Sequence, residues 1–255
     1  MSRRSVLVLF GLCAALFPLE AVDFTSLLRQ ADALVSFPGE DFSAEYTIVQ
    51  DVPNQGRTTT VSTVFRRDSS RTYVIVILEP KINKGQGYLK LDQTLWFYDP
   101  QSRRFNSTRA SERFQNSNAR NSDFTASTLA EDYRVLKGDR VRLGAYDCWL
   151  LDMEAVTTEV SYPYMKLWVS DDGLVRKYED YSLSKQLMRT TLIPNYQQVG
   201  RKFFPQKMLI IENLSGAIVN GKFVNEKTQI TITNPSLKKL PDSVFSKSFL
   251  ENISQ

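Results

Sequence analysis

Catalysis at neutral pH usually runs through histidine or a thiolate, and this chain offers little of either. It has no histidine and two cysteines, Cys13 and Cys148. Serine–histidine triads, Cys–His dyads, histidine-ligated zinc and histidine acid–base catalysis are therefore excluded within the polypeptide. Cys13 lies in an apolar N-terminal run, so Cys148 is left without a disulfide partner. Beside Trp149 in an apolar strand, it reads as a core thiol rather than a nucleophile. Gly216 to Lys222 has the glycine and lysine spacing of a phosphate loop. However, Phe223 follows, where magnesium binding needs Ser or Thr, and Asn220-Gly221 reads as a hairpin tip. The carboxylate pairs Asp171-Asp172 and Glu179-Asp180 read as solvated charges, the second beside Arg176 and Lys177. Ser182 with Lys185, and Ser236 with Lys239, have serine–lysine dyad spacing, which chance supplies in a chain rich in both. The expectation is a protein that is not an enzyme, with no catalytic residue, metal ligand or cofactor.

The N-terminus has the pattern of a secretory signal. Arg3 and Arg4 supply positive charge, Val6 to Phe17 is uninterrupted and apolar, and Pro18 precedes Leu19-Glu20-Ala21. The apolar run is about a dozen residues where a spanning helix needs about 20. Cleavage is expected after Ala21, which leaves residues 22–255 as a single domain, exported to the periplasm. Phe10-Gly11-Leu12 makes a poor lipidation signal ahead of Cys13. The net charge of +4 is too small to argue for nucleic acid, and suits transient contact with anionic headgroups.

Almost everything after residue 44 reads as strand and turn. Twelve runs rich in Val, Ile, Thr, Tyr, Phe and Trp extend from Glu45–Gln50 to Thr228–Thr233. Asn54-Gln55-Gly56, Asp171-Asp172-Gly173 and Asn220-Gly221 separate runs as turns, since Asn, Asp and Gly tolerate positive φ. Short, even spacing implies an antiparallel meander of about eleven or twelve strands in a curved sheet or incomplete barrel. Helices are expected at Phe24–Val35, at Asp123–Asp132 with Ser122 as N-cap, and at Val244–Ile253. The polar stretch Asn106–Asn121 reads as a mobile loop. The aromatic block Tyr88, Trp96, Phe97 and Tyr98, with Leu89, Leu91 and Leu95 among them, puts apolar surface on both faces of two neighbouring strands. Each residue alone serves equally well as core, but the set suggests one packed face and one that lines a cavity.

Leu91-Asp92-Gln93 followed by Thr94-Leu95-Trp96-Phe97-Tyr98-Asp99-Pro100 resembles the strand–turn–strand signature of the LolA-like family, periplasmic carriers that ferry lipoproteins between membranes. Lys84 to Leu91, Ser122 to Tyr133 and Lys166 to Lys177 look like its branch of outer-membrane lipoprotein-sorting proteins. The resemblance implies a mainly β fold, a half-open antiparallel β-barrel lidded by a few short α-helices, whose concave face accepts acyl chains. Tyr88, Leu89, Leu91, Trp96, Tyr98 and Trp168 are the expected cavity lining, with Phe124 and Leu129 on the lid. Lipid or acylated lipoprotein is the implied cargo. An inner-membrane lipid-exporting transporter and an outer-membrane acceptor are the implied partners. Carriers of this family hold the lid with a buried arginine, for which Arg57, Arg66, Arg67 and Arg71 are candidates here. A lipid-sensing or scaffolding module of the same fold is the alternative, and a phospholipase a weaker one.

Overall fold

The computed structural model describes residues 22–253, so the expected leader lies outside the described residues. Strands β1 (Asp41–Val52), β2 (Gly56–Arg67), β3 (Thr72–Glu79), β4 (Gly87–Leu91), β5 (Thr94–Asp99) and β6 (Arg104–Thr108) form the first arm. The second arm comprises β7 (Tyr133–Leu143), β8 (Tyr146–Ala155), β9 (Tyr164–Ser170), β10 (Val175–Tyr181), β11 (Leu187–Val199), β12 (Lys202–Val219) and β13 (Lys222–Ser236). All 13 belong to one antiparallel sheet, in the order β6-β5-β4-β3-β2-β1-β13-β12-β11-β10-β9-β8-β7. Each strand pairs with its chain neighbour, with one exception. Edges β6 and β7 do not pair, and β13 returns instead to lie beside β1. The barrel is therefore open between two consecutive strands, and the segment that joins them spans the opening.

The strand pattern follows from composition and turn chemistry. Asn220 (φ 50°) and Gly221 (φ 77°) sit in the left-handed region at the β12–β13 tip, which excludes a phosphate loop there. Most apolar strands alternate, but β3 is buried along nearly its whole length. Tyr73, Ile75 and Ile77 join the cluster on the concave side, and Val74 and Val76 join one on the convex side. A run without alternation is what a strand covered on both faces requires. The convex cover is the C-terminal segment, a 3-10 turn at Asp242–Phe245 followed by α3 (Lys247–Ile253). It brings Val244, Phe245 and Leu250 onto Leu89 and Tyr98.

Helix α1 (Phe24–Leu34) starts where Asp23 accepts a hydrogen bond from the Ser26 amide at 3.1 Å. Its buried Leu28 joins Leu151, Leu167 and Val169 on the concave side of β8 and β9. The Phe24 ring stands edge-on to Trp149, with centroids 5.3 Å apart. It lies so close over Gly138 that a Cβ there would come within 2.3 Å of the ring, so a larger residue would have to displace Phe24.

Three sequence expectations are corrected. Asn106–Asn121 is not a free loop. Its first residues belong to β6, and Phe114, Ser117, Asn118, Ala119 and Asn121 are buried. The helix expected at Asp123–Asp132 is a 3-10 turn (Asn121–Phe124) capped from Arg120 rather than Ser122. An extended link separates it from the single-turn α2 (Leu129–Asp132). Thr125, Ser127 and Thr128 disfavour a continuous helix. Finally, the two runs at 222–225 and 228–233 form one strand, and the charged, glycine-containing β7 escaped notice.

Candidate functional site

The concave side carries two apolar clusters, with buried charged residues among them, that the chain covers with its own residues. Residues 109–128, here called the plug, turn inward from the end of β6. Phe114 meets Tyr88 (centroids 5.0 Å apart) and Phe124 (4.5 Å), and Phe124 meets Tyr46 at 5.5 Å. Both phenylalanines are fully buried. Polar residues of the plug find partners in the sheet. The Asn118 amide donates to Gln50 Oε1 (2.9 Å) and Thr228 Oγ1 (3.0 Å), and its side chain donates to Glu226 (3.2 Å). Tyr73 donates to the Asn121 carbonyl at 3.3 Å.

Two buried arginines, one from each arm of the sheet, grip the plug. On β2, Arg66 holds Asp68 through Nε (2.6 Å) and Nη2 (3.0 Å). It also donates to the carbonyls of Thr125 in the plug (3.2 Å) and Val35 at the end of α1 (3.4 Å). Its guanidinium lies 5.3 Å from the Phe42 ring centroid and 5.4 Å from that of Phe204. On β11, Arg189 donates from Nη1 and Nη2 to the two carboxylate oxygens of Asp123, at 2.9 and 3.0 Å. Its Nε donates to Asp180 of β10 at 3.0 Å. Burial pushes the Asp180 carboxyl up to about 6, against the opposing pull of Arg189. Glu179-Asp180 thus departs from the expected solvated pair. Asp180 is buried, and only Glu179 faces outward, paired with Lys177 at 2.6 Å.

The two lid helices are tied to each other. The Asp32 carboxylate of α1 accepts from the backbone amides of Leu129 (3.0 Å) and Ala130 (2.9 Å) and from the Ser127 hydroxyl (2.5 Å). Unpaired N–H groups at a helix start favour such an anion. Leu129 packs with α1 and Tyr133 against the concave side.

The expected lining residues do not share one surface. Tyr88 lies on the concave side, with Phe97 of the same aromatic block beside it at 5.1 Å. Leu89, Trp96 and Tyr98 point the other way and are covered by α3 and the turn before it. Lys247 Nζ sits 3.5 Å from the Trp96 ring centroid. Leu91 follows Leu89 by two residues on that convex side and is exposed. Trp168 alternates with Leu167 and Val169 of the concave cluster, so it faces outward, under Lys177 at 4.2 Å. Phe124 and Leu129 pack against the two concave clusters. Of the four candidate arginines, Arg66 is the buried one that reaches the plug. Arg57 is exposed against Asp51, and Arg71 pairs with Glu131 of α2 at the surface. Arg67 ties Asp41 and Asp242 on the convex side. Cys148 is buried, and burial pushes its thiol pKa up, as suits a core residue. Sequence reading missed Arg189, Asp180 and Asn118. Arg189 and Asp180 carried one usable signal, in that both fall on inward positions of alternating strands.

An open antiparallel barrel with a filled concave side, lidded by α1, α2 and the connecting segment, defines the LolA-like fold. The LolA superfamily protein NE2245 from Nitrosomonas europaea aligns over 90% of this chain and 100% of its own, at 23% identity and a TM-score of 0.73. An outer membrane lipoprotein-sorting protein domain from Vibrio parahaemolyticus aligns at 16% identity and a TM-score of 0.75, over 89% of this chain and 97% of its own. A DUF1329 family protein from Desulfovibrio piger aligns over the same shares, at 17% identity and a TM-score of 0.75. None of the curated proteins matches the sequence. Residues 69–252, most of the chain, match the model of a family described as "-like: Uncharacterized protein", and the chain belongs to that family.

Proposed function

We propose that this protein is an exported carrier that shelters the acyl chains of a lipid or lipidated protein on its concave side. The observation that carries the reading is the plug. A mainly polar segment places Phe114 and Phe124 on an apolar cradle and is held there by side chains rather than by strand pairing. Its withdrawal would bare apolar surface formed by Tyr46, Tyr73, Tyr88 and Phe97 without dismantling the sheet. Each methylene buried in its place contributes about 0.8 kcal/mol, so an acyl chain competes with two phenylalanines on similar terms. Arg66 serves as the latch, because its guanidinium bonds both the residue that caps α1 and the plug. Periplasmic location, a donor transporter and an outer-membrane acceptor complete the reading.

Native mass spectrometry of the protein purified without detergent, followed by extraction, tests this. Near-stoichiometric intact lipid or acylated peptide supports the carrier. Lyso-lipid with free fatty acid in its place points to a lipid-cleaving enzyme. A protein that is empty and also refuses added lipid sinks the carrier reading and leaves a scaffold of the same fold.

A further inference from the structure

We propose that Arg189 is an anion site, occupied in this closed form by Asp123 of the plug, and that the cargo is an amphiphile bearing a carboxylate or phosphate beside its acyl chain. The inference rests on the carrier reading and narrows it.

Arg66 and Arg189 differ in what opening does to them. Arg66 takes its carboxylate from Asp68, two residues along its own chain segment, and gives the lids only bonds to neutral carbonyls. When the lids leave, Arg66 keeps its counter-ion. Arg189 meets Asp123 through both terminal nitrogens, in the fork geometry that suits carboxylate and phosphate. The two side chains are 5% and 4% exposed. Departure of the plug strips that face of both acceptors while Asp180 remains on Nε. The guanidinium keeps its ion pair with Asp180 but then presents two donors, Nη1 and Nη2, that have lost their acceptors, and leaving buried donors unmet is unfavourable.

Asp180 does not cancel the site. It engages Nε alone, so Nη1 and Nη2 are left able to hold a second anion. Burial, with a smaller push from Asp123, raises its carboxyl to about 6 in the closed form. The other charged or titratable groups near the pair are Arg120 of the plug, Glu212 of β12, Tyr133 of β7, Tyr162 before β9 and Tyr178 of β10. Burial also raises the Glu212 carboxyl. The occupant in the closed form has the proposed shape. Asp123 carries the anion, and the adjoining Phe124 buries its ring against Tyr46 and Phe114.

The test is displacement of a fluorescent fatty acid analogue by laurate, dodecyl phosphate and dodecanol. It is run on wild type, Arg189→Gln and Asp123→Asn, each checked for folding by circular dichroism. Wild type is expected to prefer the two anions over dodecanol about tenfold or more, and their ranking separates a carboxylate cargo from a phosphate cargo. Arg189→Gln should bind dodecanol yet lose the preference. Asp123→Asn, which leaves the Arg189–Asp180 pair in place, should bind all three more tightly and keep the preference, since the plug must move for any of them. Equal affinities in wild type, or a preference that survives in Arg189→Gln, overturns the anion site and leaves the carrier intact. If Arg189→Gln does not fold, weaker binding or equal affinities in Asp123→Asn overturns the site. Failure of all three lipids to bind any folded variant removes the carrier reading together with the site.

Discussion

Arg66 joins two lid segments to a strand, so its loss should loosen both together. Arg66→Met keeps length and apolar contact with Phe42 and Phe204 but cannot bond the Thr125 and Val35 carbonyls. Amide hydrogen exchange over residues 121–128 and over α1 should quicken by about tenfold or more while the central strands stay protected. Unchanged exchange would remove Arg66 as the latch. Asp180 gives a second check at this scale. Its carboxyl is raised from 3.8 to about 6 in the fold. Such a group favours folding below its unfolded pKa, and that favour is lost as pH rises through the folded value. Urea unfolding of wild type and Asp180→Asn should show the wild-type advantage falling between about pH 4 and 6.5 and then levelling off. A difference that rises with pH instead would mean that Asp180 stays ionised in the closed form. Arg66 stood among four candidate arginines in the sequence, whereas Asp180 read as a solvated charge, because a buried ion pair between separate strands shows locally only as inward positions of alternating strands. Asp180 and Arg189 come from neighbouring strands, and Asp123 lies 66 residues before Arg189.

At the scale of elements, nearly every strand was legible from alternation and turn residues, yet the side each residue faces was not. Strands β3 to β5 are apolar at almost every position because both faces are covered, by the plug on one side and α3 on the other. Composition then carries no information about inside and outside. Only the register, which sets Tyr88 opposite Phe97 and Leu89 opposite Trp96, sorts them. This separates two neighbouring substitutions. Trp96→Asp should loosen α3 and lower the melting temperature by several degrees, about 2–4 °C per kcal/mol for a chain of this size, while fatty-acid binding persists. Phe97→Asp places a charge on the concave side and should abolish binding in protein that still folds, as read by the same displacement assay. The reverse pattern would exchange the two faces. The plug stayed hidden for a related reason. Its few apolar residues are scattered among polar ones, and Asn118 among these donates to Gln50, Thr228 and Glu226, far away in the chain.

At the scale of the whole molecule, the general architecture was readable and its closed condition was not. A curved meander follows from short strands and tight turns, whereas the occupancy of the concave side depends on contacts between distant segments. Replacing residues 112–120 with an equally long Gly/Ser linker removes Phe114 and Asn118 but leaves the edge strands untouched. The variant should bind laurate several-fold more tightly than wild type and melt at lower temperature, as followed by titration and by thermal circular dichroism. Weaker binding would mean that these residues help build the cargo surface rather than fill it.

Because β6 and β7 are consecutive in the chain, the stopper of this vessel is also the cord that ties it to both lips of the opening. It cannot be lost, diluted or carried off with the cargo. Its local concentration is fixed by tether length, on the order of millimolar for a short flexible connection, whatever the amount of protein in the compartment. On the proposed carrier reading, any cargo enters against a constant internal competitor, and the same tether would return the plug to its seat once an acceptor drew that cargo away.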